Sequence, residues 1–266
     1  MEQRGLIPKQ NVIAVIPARY DSVRLPGKLL MEIDGKPLIV VTLEQTKRAS
    51  VLSRVIVATD DLRIFSVVVE SGGEALMTSK DHLSGSDRIA EVAERLPEGS
   101  IIVNVQGDEP LISPEAINAA VEVLLNDPTA DVSTTCEAIQ NIADVFSPNV
   151  VKVVTGESGN ALYFSRSPIP FLRDEVNRAG GLDFALKDDP GLLQHFKKHT
   201  GLYVYRREFL LKYAKTGQSH LEKCEMLEQL RVLENGGKIK VVEVEQFSIG
   251  VDTAKDLEQV RQILRS

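Results

Sequence analysis

Two periodicities alternate along the chain. Short apolar runs rich in β-branched residues fall at Val12–Ile16, Val55–Ala58, Ile101–Val105, Val132–Thr135, Val150–Val154, Ala161–Phe164, Leu202–Tyr205 and Ile239–Val244. Between many of them the apolar positions follow a helical period, which predicts helices at Pro37–Ala49, Asp61–Glu70, Ser86–Leu96, Pro114–Asn126, Leu221–Glu234 and Ala254–Leu264. Pro37 suits a first helical position, Asp61 a helix cap, and Gly72-Gly73 a helix stop. Several of the strands are apolar without alternation, as strands covered on both faces are. The pattern therefore predicts an α/β fold with a mostly parallel central sheet. The alternation is regular to about Asp131. Beyond it strands cluster, and Phe171–Pro190, with its charges, Gly180-Gly181 and no period, reads as a loop or lid. The expected organisation is a single domain over 1–266, with an inserted subregion in its second half.

Composition narrows the function classes. The 266 residues are 43% hydrophobic and 26% charged, enough apolar surface to exclude disorder as the dominant state. A net charge of −7 disfavours a general nucleic-acid binder, so any positive field is confined to a local pocket. Cys136 and Cys224 are far apart with no CxxC, which excludes a disulfide scaffold; both read as buried thiols. Met1–Gln10 is polar, Val12–Ile16 is too short for a signal-peptide core, and no run approaches the roughly 20 apolar residues that span a bilayer. A soluble, cytoplasmic protein without membrane insertion is expected.

Candidate chemistry gathers where strands end. The first strand runs into Pro-Ala-Arg-Tyr-Asp-Ser-Val-Arg-Leu-Pro-Gly-Lys, residues 17–28. Ligands of open α/β sheets bind beyond the carboxyl ends of the strands, so Arg19, Arg24 and Lys28 fall where phosphates would sit. Gly27 permits close backbone approach. Neither GxxxxGK[ST] nor GxGxxG is present; the plainer alternative is a solvated basic loop. Ile101–Val105 leads into Gln106-Gly107-Asp108-Glu109-Pro110. Asp108 is placed for a hard cation such as Mg2+, and Gln106 for reading a base or sugar; the alternative is a turn that merely caps the next helix. Asp252 sits in a second acidic turn, where a helix cap by Asp or Thr is the competing explanation. On the helix expected at Leu221–Glu234, Glu222, Glu225 and Gln229 fall inside the apolar arc and need partners, either a structural cation or a ligand hydroxyl. His199, Gly201 and Tyr203 share one strand face, a sugar platform or ordinary core. Arg166 ends another strand, either facing an anion or lying on the surface.

Taken together, these residues resemble a known family. PARYDSVRLPGK (17–28), DGKPLI (34–39), VATDD (57–61), SGSDRIAE (84–91), VNVQGDEPLI (103–112), NVVKVV (149–154), ALYFSRSPIP (161–170), HTGLYVYRR (199–207), LEKCEMLEQLRVLENG (221–236) and GVDTAKDLEQV (250–260) look like the 3-deoxy-manno-octulosonate cytidylyltransferases, the CMP-Kdo synthetases. The likeness runs in order through nearly the whole chain. It implies a Rossmann-like, glycosyltransferase-A-like nucleotidyltransferase fold with an inserted substrate and dimerisation subregion. It also implies a homodimer that makes CMP-Kdo and pyrophosphate from CTP and Kdo, with Mg2+, for lipopolysaccharide biosynthesis. On that likeness 11–131 mainly binds CTP. Residues 132–266 mainly bind sugar and dimerise, and return Asp252 to the metal site.

By motif match Arg19, Arg24 and Lys28 would hold the CTP phosphates, with Arg24, Lys28 and Asp108 as the catalytic groups. Arg88 and Gln106 would serve the nucleotide pocket, Gln106 also touching sugar. Asp108 and Asp252 would ligate Mg2+. Arg166, His199, Tyr203, Glu225 and Gln229 would line the Kdo site. Ser86 stands where the family has Thr, Thr200 where it has a small aliphatic residue and Val204 where it has Gly, and the stretch between Arg166 and His199 is longer. These departures bear on the sugar more than on the reaction, and an amino-substituted Kdo fits the same chemistry. The rivals are activation of another acidic sugar, such as a sialic acid, and a noncatalytic sugar-nucleotide sensor.

Overall fold

The computed structural model describes residues 11–21, 25–82, 84–245 and 249–265. In chain order the strands are β1 (Val12–Ala18), β2 (Glu32–Ile33), β3 (Lys36–Pro37), β4 (Arg54–Thr59), β5 (Glu74–Met77), β6 (Ile101–Asn104), β7 (Val132–Ala138), β8 (Lys152–Thr155), β9 (Ala161–Ser165), β10 (Lys197–Arg206) and β11 (Ile239–Glu243). The helices are α1 (Leu38–Lys47), α2 (Leu62–Glu70), α3 (Gly85–Glu94), α4 (Pro114–Asn126), α5 (Ile142–Phe146), α6 (Arg173–Ala179), α7 (Leu182–Asp188), α8 (Arg207–Ala214), α9 (His220–Glu225), α10 (Gln229–Glu234) and α11 (Ala254–Arg265). The chain divides into two compact units. The first is the chain up to Val121, Leu202–Lys215 and the segment from Ser248 onward; the second is Glu122–Gly201 with Thr216–Phe247.

The first unit is built on a parallel sheet. β1 pairs in parallel with β4 on one side and β6 on the other, and β5 extends the sheet beyond β4. The second half of β10 runs antiparallel to β6, with Tyr203 opposite Asn104. β1, β4 and β6 are apolar throughout because both sheet faces are covered; Ala14, Val15, Ile16, Ile56, Val57, Ile102 and Val103 are fully buried. Asp61 caps α2 by accepting from the Arg63 amide, and Ser84 with Asp87 forms a reciprocal capping box on α3. Pro37 lies just ahead of α1, at its cap position.

In the second unit β11 pairs in parallel with β7, while β8 pairs antiparallel with both β9 and the first residues of β10. Phe171–Pro190, expected as a loop or lid, instead holds α6 and α7, followed by a 3-10 segment at Pro190–His195. Each helix is seven residues long, under two turns, too short to show a period in the sequence. α7 is held by apolar packing: Leu186 joins Ile139, Val145 and Phe196 in a buried cluster, with Leu182, Leu192, Leu193 and, just ahead of α6, Leu172 against it.

The helix expected at Leu221–Glu234 is two helices, α9 and α10, broken at Met226, which takes a left-handed φ of 53°. The break has an identifiable cause. Arg166 donates from Nε to the Glu225 carbonyl at 2.7 Å and from Nη2 to the Met226 carbonyl at 3.3 Å. Those carbonyls would accept the next turn's amides in a continuous helix. Cys136 is buried as expected, but Cys224 is exposed, on a one-and-a-half-turn helix with few buried positions. Among the described residues no helix is long and apolar enough to cross a membrane.

Candidate active site

In the first unit three of the expected residues converge. The Lys28 ammonium lies 2.5 Å from Asp108 Oδ2 and 3.0 Å from Asp252 Oδ1, and donates to the Val251 carbonyl at 2.9 Å. Each is delivered by a local feature of the sequence. Lys28 follows Gly27, whose φ of 69° favours glycine and where a Cβ would stand 3.1 Å from the Tyr20 hydroxyl. Asp108 follows Gly107, where a Cβ would stand 3.0 Å from the Pro17 carbonyl. Thr42 fixes that turn by donating to the Gly107 carbonyl. Beside Asp252, Thr253 caps α11, accepting from the Asp256 amide, and the Asp256 carboxylate in turn accepts the amides of Asp252 and Thr253. The Val251 amide donates to the Asp108 carbonyl at 2.8 Å, which ties the two acidic turns together. Burial opposes the Lys28 charge, but the bonds and charges of Asp108 and Asp252 outweigh it and hold the ammonium above its ordinary pKa.

The other expected residues of this unit differ in how they are held. Arg19 donates from Nη2 to the carbonyls of His82 and Ser84, at 2.6 and 3.0 Å. Arg24 lies outside the described residues. Gln106 is half-buried in the turn after β6, where its carbonyl accepts from the Glu109 amide. Arg88 is fully buried; it donates to Asp60 Oδ2 at 2.8 Å and to Thr78 Oγ1, and its Nε has no protein partner. Tyr203 stacks on Tyr205 with ring centroids 5.9 Å apart.

The second unit gathers Arg166, His199, Glu225 and Gln229. Glu225 accepts from Ser165 Oγ at 2.6 Å and from the Arg166 amide at 2.9 Å. Arg166 also donates from Nη1 to the Pro148 carbonyl at 2.7 Å. Its guanidinium is thus held by three carbonyls, and among the described residues no carboxylate side chain pairs with it. Burial, with Glu225 nearby, pushes the Tyr163 phenol pKa up. His199 Nε2 lies 2.9 Å from Thr134 Oγ1, and its ring meets Phe164 edge-on. Burial pushes His199 down to about 3, so the ring is neutral at any ordinary pH. Gln229 opens α10 and is buried.

Glu222, which shared the apolar arc with Glu225 in the sequence, has a structural partner. Arg231 grips it with Nε and Nη2, at 2.8 and 2.7 Å, and both side chains are buried. Thr200, one of the family departures, bonds to Thr135, donating to its carbonyl at 3.1 Å. Sequence reasoning missed the partners Asp60, Thr134 and Ser165, whose side chains carry no distinguishing spacing. It also passed over Lys152, although a lysine inside the apolar run of β8 was a visible signal.

A lysine and two carboxylates meeting beyond the end of β6 in a parallel α/β sheet suit a site for a nucleotide's phosphates and a hard cation. The cytidylyltransferase family pattern matches residues 13–240, and the chain belongs to that family. The 3-deoxy-manno-octulosonate cytidylyltransferase of Trichlorobacter lovleyi is 54% identical over 96% of this chain and 99% of its own length. That of Geobacter sulfurreducens is 52% identical over 96% and 100%. A solved CMP:2-keto-3-deoxy-manno-octonic acid synthetase complexed with CTP superposes with a TM-score of 0.86 at 40% identity, covering 96% of this chain and 99% of that one. The fold also extends to a 4-diphosphocytidyl-2C-methyl-D-erythritol synthase from Anaerococcus prevotii, at 13% identity and a TM-score of 0.62.

Proposed function

We propose that this chain activates Kdo with CTP, giving CMP-Kdo and pyrophosphate for lipopolysaccharide assembly. The observation that carries the reading is the meeting of Lys28 with Asp108 and Asp252, in a chain whose near full-length relatives bear that enzyme's name. The anomeric hydroxyl of Kdo attacks the α-phosphorus of CTP in line, and pyrophosphate departs. Such a transfer asks the protein for positioning and charge neutralisation more than for covalent chemistry.

The first unit would carry the nucleotide. Asp108 and Asp252 fit a Mg2+, because they offer only oxygen donors and already share one cationic partner. When bound, the metal neutralises and polarises the phosphates. Lys28, released from the carboxylates, would turn with Arg19 and Arg24 to the phosphates and offset the charge growing on the leaving pyrophosphate. Gln106 would contact the nucleotide or sugar. Arg88, being buried, would act on the nucleotide pocket through Asp60 and Thr78.

The second unit would carry Kdo. Arg166 has N–H groups to spare after its three carbonyls and, among the described residues, no carboxylate side chain paired with its guanidinium, which suits pairing with the acceptor's carboxylate. Glu225 and Gln229 would take sugar hydroxyls; by motif match Tyr203 would line the sugar. His199 is not the base: with a pKa of about 3 it is too weak, and it serves as a neutral hydrogen-bonding group.

The same reading includes a cytoplasmic homodimer built through residues after Asp131. Leu162 and Phe171, 64% and 67% exposed, supply the apolar surface for a second copy. Sedimentation showing only a fully active monomer of about 29 kDa at micromolar concentration would contradict the dimer. Product analysis with CTP and a panel of ulosonic and sialic acids, with and without Mg2+, tests the function. CMP-Kdo formed only with Mg2+ is expected; preferential turnover of another acid, or none, would overturn it.

A further inference from the structure

Lys152 is wholly buried in β8. A buried lysine is ordinarily matched by a carboxylate. Among the described residues no carboxylate pairs with this one. Its Nζ spends its three donors on backbone carbonyls instead, those of Ser147 at 2.9 Å, Val150 at 2.6 Å and Arg166 at 2.6 Å. Burial pushes its pKa down; the Glu225 and Asp144 charges oppose that and the Arg166 charge adds to it.

The three carbonyls are not scattered. Two belong to the turn at 147–150, whose Pro148 carbonyl accepts from Arg166 Nη1 at 2.7 Å. The third is that of Arg166 itself, whose amide is already held by Glu225 Oε2 at 2.9 Å. Lys152 therefore ties the backbone that launches the Arg166 side chain to the backbone that receives its guanidinium. Of the charged groups around Lys152, Glu225 is the carboxylate that also holds the Arg166 amide, so the lysine and the arginine are anchored at one place.

We propose that Lys152 is a positioning residue for the acceptor: by binding the carbonyls of Ser147, Val150 and Arg166 it fixes the direction of the Arg166 guanidinium. The inference rests on the reading of Arg166 and Glu225 as acceptor-binding groups. A lysine that served stability alone would leave substrate recognition in the folded enzyme untouched.

The test is steady-state kinetics of the full-length Lys152→Met enzyme, with KM measured for Kdo and CTP and Tm on the same preparation. A misdirected guanidinium should raise the Kdo KM by about tenfold or more while the CTP KM stays within about twofold. Lys152→Gln, polar and neutral, carries the same measurement if the Met variant does not fold. An unchanged Kdo KM in a folded variant, or Kdo and CTP KM values rising together, would overturn the proposal. Arg166→Met, run in parallel, separates the two layers. If it raises the Kdo KM and the Lys152 variants do not, Lys152 alone has been misassigned. If Arg166→Met leaves the Kdo KM unchanged, the acceptor reading falls and the Lys152 proposal with it.

Discussion

The two units hold their candidate residues in opposite ways. In the first, charges face charges: the buried Lys28 ammonium sits on the carboxylates of Asp108 and Asp252, which are partly accessible. In the second, cations face the backbone: Arg166 and Lys152 together engage the carbonyls of Ser147, Pro148, Val150, Arg166, Glu225 and Met226. Ion pairs of the first kind exchange readily, since an incoming metal and an incoming phosphate can replace each partner like for like. Backbone carbonyls have no such substitute, and unmade bonds to them are costly. The first arrangement suits a site whose ligands arrive carrying large charge. The second suits a site that recognises shape and one carboxylate.

The comparison breaks most sharply at Asp108. Asp108→Asn removes one anionic ligand from a pair that is not deeply buried, so the fold and Tm should survive. Turnover should drop by about a hundredfold or more, as several kcal/mol of charge stabilisation is lost. Near wild-type kcat at ordinary Mg2+ in a soluble variant would remove Asp108 from the metal site.

Glu222 offers the contrast. Its bidentate pair with Arg231 is buried and serves the α9–α10 break. Glu222→Ala leaves a buried guanidinium uncompensated and should cost about 3–5 kcal/mol of stability. Denaturant unfolding measures it, and a loss below about 1 kcal/mol would show the pair to be dispensable.

His199 gives a smaller effect with a definite sign. Its folded pKa, about 3, lies below the ordinary 6.5, so the unfolded chain binds the extra proton between those values. Its contribution to stability is therefore complete above about pH 7 and is lost as pH falls. It should amount to about 1 kcal/mol between pH 7 and 5.5. Comparing that pH slope with the slope of His199→Phe isolates the term; identical slopes would show that the ring is not held neutral.

The sequence made the first unit far more legible than the second. β1, β4 and β6 announce themselves as unbroken apolar runs, and the Asp61 cap, Gly27 and Gly107 act within a few residues of what they shape. Asp108 stood out as an acidic residue just past an apolar strand, whereas Asp252, in a turn before a helix, was singled out by the family resemblance. The second unit depends on contacts made at long range. Nothing near residues 221–234 reveals the break at Met226, because its cause, Arg166, lies some sixty positions earlier. The pairing of Glu222 with Arg231 rather than with a ligand follows from that same break. α6 and α7 are too short to carry a period, and α7 persists by packing on Phe196 and Val145. Arg88 was assigned to the nucleotide pocket by motif match, and the apolar company of Ile89 and Val92 was the signal of its burial.

The division of labour between the units is the central claim, and Gln229→Leu tests it most directly. Gln229 is buried at the start of α10, within the second unit. Kdo KM, CTP Kd without sugar and Tm are measured on one preparation. The account predicts a Kdo KM raised roughly 5- to 150-fold, the cost of a hydroxyl left without its partner, with the CTP Kd unchanged. An unchanged Kdo KM with a lowered Tm, or a CTP Kd weakened as much as the Kdo KM, would contradict it.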